Sequence, residues 1–198
     1  MPDDRGYTAL HYSAAHGYDN ITGLLLERNA RLDLTDPRLG NTAMHWATQN
    51  GHHSTVELML KYEQNLLLQQ LKVVRRNRAL PCPRFNSVIN FQNYDGNSPL
   101  HLAAVEGQLD IVKSLVTAGA YVNLPNLDGL TPLHAAIQAG RADIAQFLIL
   151  NGIFINQQDI EGDTPLHWAI RHGQYQMLNL LLDQGAAFDV KNSDAETP

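Results

Sequence analysis

The run Asp95-Gly96-Asn97-Ser98-Pro99-Leu100-His101-Leu102-Ala103-Ala104 reads as a tight turn delivered into a short helix. Gly96 suits a turn that needs positive φ. Ser98 can accept a bond from a helix N-terminal N–H, and Pro99 fits the first helical position. Leu100, Ala103 and Ala104 are spaced for one apolar face, and the alanines let a neighbouring helix come close. Gly107 ends that helix and opens a turn. A second helix is predicted from about Leu109 to Thr117, with Ile111, Val112, Leu115 and Val116 facing inward and Gly119 closing it. The unit is helix, turn, helix and hairpin-like loop. It cannot bury its own apolar face, so neighbouring units must stack.

The neighbours are in the chain. The tetrapeptide recurs as Thr8-Ala9-Leu10-His11, Thr42-Ala43-Met44-His45, Thr131-Pro132-Leu133-His134 and Thr164-Pro165-Leu166-His167, and Thr197-Pro198 opens a sixth copy. The steps are 34, 56, 33, 33 and 33 residues, the long one holding a unit plus an insertion. A glycine stands two residues before each motif (Gly6, Gly40, Gly96, Gly129, Gly162) and another nine after its first residue (Gly17, Gly51, Gly107, Gly140, Gly173). Each unit closes on Asn or Asp: Asp33, Asn90, Asn123, Asn156 and Asp189.

This pattern resembles the ankyrin-repeat family over all of the chain but the insertion. The resemblance implies an all-α solenoid of stacked helix-turn-helix pairs with β-hairpin-like loops. The expected organisation is a single domain with repeats at about 3–36, 37–92 (insertion near 64–86), 93–125, 126–158 and 159–191, and the start of a sixth at 192–198. Because neither end reads as a polar cap, the chain is expected to be part of a longer protein.

Composition narrows the function. With 198 residues, 44% hydrophobic and 17% charged, a buried core is feasible. A net charge of −6 argues against nucleic-acid binding by the whole surface. A single cysteine, Cys82, permits no internal disulfide and no thiolate zinc site. The N-terminus lacks the basic-then-apolar pattern of a secretory signal. The most apolar window, Ile144 to Ile155, is interrupted by Gln146, Asn151 and Gly152, too short to span a bilayer. An intracellular, cytoplasmic location is expected, with the nucleus also open.

The insertion differs in character. Leu66, Leu67, Leu68, Leu71, Val73 and Val74 suggest that the second helix of repeat two runs on toward Arg76, after which Pro81-Cys82-Pro83 stops helix and favours an extended path. Lys72, Arg75, Arg76, Arg78 and Arg84 make the segment +5 while the remainder is −11. It reads as an elongated helix and solvated loop, or as a site for an anionic membrane, a nucleic acid or an acidic protein.

Nine histidines invite catalysis or metal binding. Five of them (His11, His45, His101, His134, His167) sit in the motif, where the resemblance implies a structural role bonding within and between loops. Repeats about 10 Å apart, as the resemblance implies, could not share one zinc, which needs ligands near ~2 Å. No H-E-x-x-H, G-x-S-x-G or P-loop pattern occurs. No catalytic residue, metal, cofactor or small-molecule substrate is expected. Tyr12, Trp46 and Trp168, each directly after a motif histidine, read equally as recognition anchors or as packing. Asn90, Asn123 and Asn156 match a position that, by resemblance, is a substrate of asparaginyl hydroxylation.

The resemblance puts partner contacts on the loop tips and first helices, and the partner is expected to be another protein. Carried over to this chain, the candidates are Tyr94, Asn97, Val105, Glu106, Leu127, Asp128, Leu130, Ile160, Glu161, Asp163, Arg171 and His172. Tyr94, Val105, Leu127, Leu130 and Ile160 would form an apolar stripe with an acidic rim, a suitable protein interface. Three alternatives stay open: anionic-surface or nucleic-acid binding through Lys72 to Arg84, a targeting arm of a larger enzyme or effector, and a regulator similar to the inhibitors of Rel-type transcription factors. The last rests on Asn93-Tyr94-Asp95-Gly96 following an irregular segment.

Overall fold

The computed structural model describes residues 2–76 and 87–198, the side chains of residues 70–76 excepted. The described residues form five helix pairs: α1 (Ala9–Ala15) with α2 (Asp19–Glu27), α3 (Ala43–Gln49) with α4 (His53–Arg76), α5 (Pro99–Glu106) with α6 (Leu109–Thr117), α7 (Pro132–Gln138) with α8 (Ala142–Leu150), and α9 (Pro165–Arg171) with α10 (Tyr175–Asp183). The first helices stack in the order α1, α3, α5, α7, α9 and the second helices in the order α2, α4, α6, α8, α10. This is the all-α solenoid that the repeat predicts.

Each first helix starts the same way. The Thr or Ser N-cap and the histidine three residues on form a capping box in all five copies. The ring closes the box: Ser98 N–H donates to His101 Nδ1 at 3.1 Å, and Thr131 N–H to His134 Nδ1 at 3.1 Å. Nδ1 is thereby an acceptor, which leaves the proton on Nε2. From there the ring reaches the next repeat, His45 Nε2 donating to Asn97 O and His101 Nε2 to Leu130 O, both at 3.0 Å.

Packing follows the periodicity. Leu10, Met44, Leu100, Leu133 and Leu166, one per repeat at the same motif position, are buried between helix layers. Each contributes about 1.5–3 kcal/mol by leaving water. Ala14, Ala47, Ala103, Ala104, Ala136 and Ala169 are closed off completely, which is how consecutive first helices approach one another.

The loops keep hairpin-like closure without a strand among the described residues; the one isolated bridge pairs Thr35 with Thr42. Tips are shut by paired backbone bonds, such as Asn126 N–H to Leu130 O at 2.9 Å and Gly129 N–H to Asn126 O at 3.0 Å, and the Asn126 Oδ1 accepts the Asp128 and Leu130 N–H groups. Gly129 sits there at φ +76°, and a Cβ on it would fall 2.7 Å from the Ile160 nitrogen. The turn glycine is thus required twice over, by its dihedral and by the approach of the next tip.

The insertion begins as expected: α4 runs 24 residues to Arg76, against nine for each other second helix. Where α2 ends after Glu27, α4 continues, and the chain rejoins the pattern at a short 3-10 turn, Val88–Asn90. Glu63, buried in the side of α4, ties the two ends by accepting the Val88 N–H at 2.8 Å. Burial pushes its carboxyl up, against the lowering effect of the Ser87 side chain and Val88 N–H. Pro81-Cys82-Pro83, Arg78 and Arg84 lie outside the described residues.

Candidate protein-docking face

The loop tips are coupled in series. Tyr94 N–H donates to Leu39 O (2.8 Å), Leu127 N–H to Asp95 O (3.1 Å), Ile160 N–H to Asp128 O (3.1 Å) and Ser193 N–H to Glu161 O (2.9 Å). Each donor is the residue after the Asn or Asp that opens its tip, so equivalent side chains share one register. Pro37 holds this position in the second tip and has no N–H, so its tip takes no such bond from the first. Its ring packs against Gly6 instead, and Tyr7 stands 6.3 Å from Trp46 between ring centroids.

Carboxamides add a second rung. Asn93 Nδ2 donates to Asn41 Oδ1 (3.0 Å), Asn126 Nδ2 to Asn97 Oδ1 (3.0 Å) and Asn192 Nδ2 to Asp163 Oδ1 (2.8 Å). Between the fourth and fifth tips the equivalent residues are Leu130 and Asp159, which cannot make it. His134 Nε2, at the same junction, is buried without a well-formed hydrogen bond.

The first residue of a tip and the residue after the motif histidine vary together. Where the tip opens with Asp, an aromatic donor meets it: Tyr12 Oη to Asp3 (2.9 Å), Trp46 Nε1 to Asp36 (3.2 Å) and Trp168 Nε1 to Asp159 (2.8 Å). Where it opens with Asn (Asn93, Asn126), the facing residue is Leu102 or Ala135, with no donor to offer. These aromatics thus hold the loop to its helix, a role that neither reading of them foresaw. Trp168 also stacks on His172 at 5.3 Å and 11°.

Against this frame the candidate residues separate. Tyr94, Leu127 and Ile160 are 60%, 70% and 69% exposed, one on each of three successive tips. Asp128 and Glu161 are exposed on the same tips, and Arg171 reaches Glu161 at 3.7 Å, whereas Val105, Glu106 and His172 are exposed at the ends of α5 and α9 farther from the tips. Asn97 and Leu130 are half-buried, with Asn97 Oδ1 used in a rung and the Leu130 carbonyl taken by His101. Asp163 is a correction: its side chain is fully buried, with Oδ1 bonded to Asn192 and Oδ2 2.6 Å from Arg171 Nη1. It anchors a base on the face and is not itself available to a partner. The sequence reading passed over Asp194 on the sixth tip, in the register of Asp95, Asp128 and Glu161. Ala195, at φ +63°, replaces the glycine that marks the other tips and hid the match.

The motif histidines are engaged in structure. Burial pushes the imidazoles of His45, His101 and His134 down to about 4. Asn90, Asn123 and Asn156 each accept a backbone N–H of the following repeat through Oδ1, from Tyr121 (2.8 Å), Phe154 (2.6 Å) and Ala187 (2.8 Å). Among the described residues no group of three His, Cys, Asp or Glu side chains is placed to hold a metal ion, and no helix is long and apolar enough to cross a membrane. A cleft of about 500 Å³ lies between the first repeat's closing loop and α4, bounded by Arg31, Tyr62, Glu63 and Phe91. Lys72, Arg75 and Arg76 fall on the last turns of α4, away from the tips in sequence and outside the described side chains.

Comparison with known proteins agrees with this architecture. The family profile for ankyrin repeats (three copies) matches residues 1–70, 40–126 and 118–192. The chain is 32% identical over 115 residues to the B-cell lymphoma 3 protein homolog of Mus musculus, covering 58% of this chain and 20% of that protein. It is 30% identical over 115 residues to NF-kappa-B inhibitor alpha of Homo sapiens (58% and 31%) and 30% identical over 123 residues to the E3 ubiquitin-protein ligase XBAT32 of Arabidopsis thaliana (60% and 24%). It thus spans between a fifth and a third of the length of these relatives. Ankyrin repeats are protein-interaction modules, and this chain belongs to the ankyrin-repeat family.

Proposed function

We propose that the chain recruits another protein through the ridge of its third to fifth loop tips and the ends of α5 and α9, without catalysing a reaction. The observation that carries this reading is the repetition of a large exposed apolar side chain, Tyr94, Leu127 and Ile160, in one backbone register. Such a strip rimmed by Asp128, Glu161 and Arg171 has the composition of a protein interface. A scaffold already closed by its tip bonds loses little entropy on binding. The proposed setting is the cell interior, within a longer protein. Binding of an anionic membrane or nucleic acid by Lys72, Arg75, Arg76, Arg78 and Arg84 is the weaker reading, because the chain from Ser87 to Pro198 has twelve acids against four bases.

The test is affinity capture from cell lysate with Leu127→Arg/Ile160→Arg and, as an outer-face control, Lys113→Glu/Gln146→Arg. Specific capture should fall at least tenfold for the tip variant alone, with helical circular dichroism unchanged in both. Equal capture by the tip variant overturns the reading. A second reading, that the partner is a Rel-type transcription factor, draws on the name of one relative, NF-kappa-B inhibitor alpha. An E3 ubiquitin-protein ligase is similar to the same degree, so the repeat and not the partner is what these proteins share. Direct titration with purified NF-kappa-B decides it, and no binding at micromolar concentration removes it.

A further inference from the structure

The same ridge carries a charge pattern with a period. Asp95, Asp128, Glu161 and Asp194 are exposed, one per tip, each following the residue whose N–H makes the tip-to-tip bond. The backbone carbonyls of the first three are the acceptors of those bonds, so their spacing is held by the ladder and not by loop preference alone. Only Glu161 has a basic neighbour within 4 Å among the described residues, Arg171 at 3.7 Å. The chain from Ser87 to Pro198 has a net charge of −8, whereas residues 1–86 are +2, with Arg5 and Arg38 on the first two tips. Apolar and acidic side chains therefore alternate along repeats three to five, and the sixth tip continues the acidic row beside a serine, Ser193.

We infer that the ridge formed by Tyr94-Asp95, Leu127-Asp128, Ile160-Glu161 and Ser193-Asp194 receives an amphipathic α-helix of a partner protein bearing a basic side chain at every seventh position beside an apolar one. This rests on the proposed docking role of the tips. Charge complementarity selects the basic partner, and the period selects its conformation. Stacked helices sit about 8–10 Å apart, which sets the tip spacing. An α-helix rises about 1.5 Å per residue, so seven residues advance roughly 10 Å and complete almost two turns, returning to the same face. An extended strand rises about 3.3 Å per residue and reaches the next tip in three, which points the side chain to the opposite face. A polyproline helix also repeats at about 9 Å but is recognised by aromatic-lined grooves, and this ridge offers a single aromatic, Tyr94.

The probe is a set of 28-residue synthetic peptides: Leu and Arg at heptad spacing on a helix-favouring background, the same residues scrambled, and a Glu-for-Arg version. A Pro-rich peptide with Arg every third residue completes the set. Titration by fluorescence anisotropy should rank the heptad peptide at least tenfold tighter than the others, with affinity falling about tenfold or more between 50 mM and 500 mM salt. Asp95→Lys/Asp128→Lys/Glu161→Lys, folded by circular dichroism, should abolish that preference. Equal binding of the scrambled peptide, tighter binding of the Pro-rich one, or indifference to the charge reversal overturns the inference. Self-association of the chain that dissolves on the same reversal also overturns it, since the occupant is then a second copy. If the inference fails while Leu127→Arg/Ile160→Arg still abolishes lysate capture, the docking role stands and only the helical, basic partner is lost. If capture persists as well, both fall.

Discussion

Leu127 and Leu150 are the same residue at the same exposure, 70% and 71%, in adjacent regions of the fourth repeat. Leu127 stands on a loop tip, between Tyr94 and Ile160 in equivalent positions, and its N–H is bonded to the tip before it. Leu150 ends α8 on the outer helix layer, where the matching last residues of α2, α6 and α10 are Glu27, Thr117 and Asp183. Exposure alone therefore says little, because a lone apolar side chain at the surface is ordinary. Recurrence on three successive tips, on a backbone held in register, is what turns an exposed leucine into part of a surface.

The comparison breaks most severely if the ridge loses its register. Acid should do this. With native imidazoles at about 4 and unfolded ones near 6.5, the unfolded chain binds more protons between those values. The contribution of His45, His101 and His134 is complete above pH 6.5, falls as the pH drops, and is gone below about 4, at a ceiling of about 3 kcal/mol each. Glu63, whose carboxyl burial pushes up, works the other way and is relieved as the pH falls. Urea melts from pH 7.5 to 4 should show the net loss. Amide exchange should rise at Tyr94, Leu127 and Ile160 before it rises within α6 and α8.

Next in size is Gly129→Ala against Gly173→Ala. Both glycines have positive φ, +76° and +64°, but only Gly129 has the next tip's backbone against it. We expect a loss of about 2–4 kcal/mol for the first and about 1 kcal/mol for the second by denaturant unfolding. Smaller again is Asp159→Asn, which faces an NH2 group toward Trp168 Nε1 and should cost about 1 kcal/mol. Adding Trp168→Leu should recover most of it, reproducing the Asn93–Leu102 pairing of the third repeat. The smallest effect belongs to Leu150→Ser, within about 0.5 kcal/mol in stability and without consequence for capture. Leu127→Ser should match it in stability while weakening capture.

The helix pairs were legible because their signals are local and periodic: Ser98 and Pro99 start a helix, Leu100 and the alanines face a neighbour, Gly107 ends it. The extension of α4 was legible for the same reason, as leucines kept recurring past Glu63. The tip ridge was only partly so. Asp163 and Asp128 look alike in sequence, each beside a tip glycine, but Asp163 turns inward to Asn192 and Arg171 whereas Asp128 stays in solvent. The two differ in register: Asp128 precedes its tip glycine, as exposed Asp95 and Glu161 do, whereas Asp163 follows it, as do Asn41, Asn97 and Leu130, all buried or half-buried. The contrast shows only when the repeats are compared with one another. The pairing of Asp36 with Trp46 and Asp159 with Trp168 could have been found by aligning the repeats column by column. The break at Pro37 was readable once the donor position was known. Ala195, holding a dihedral that glycine holds elsewhere, concealed Asp194.

The most direct test places a photo-crosslinking amino acid at Leu127 in one sample and at Leu150 in another, in cells expressing the chain. The account predicts a discrete crosslinked protein from position 127, lost when Ile160→Arg is added, and none from position 150. The same adduct from both positions, or an adduct from position 150 alone, contradicts it.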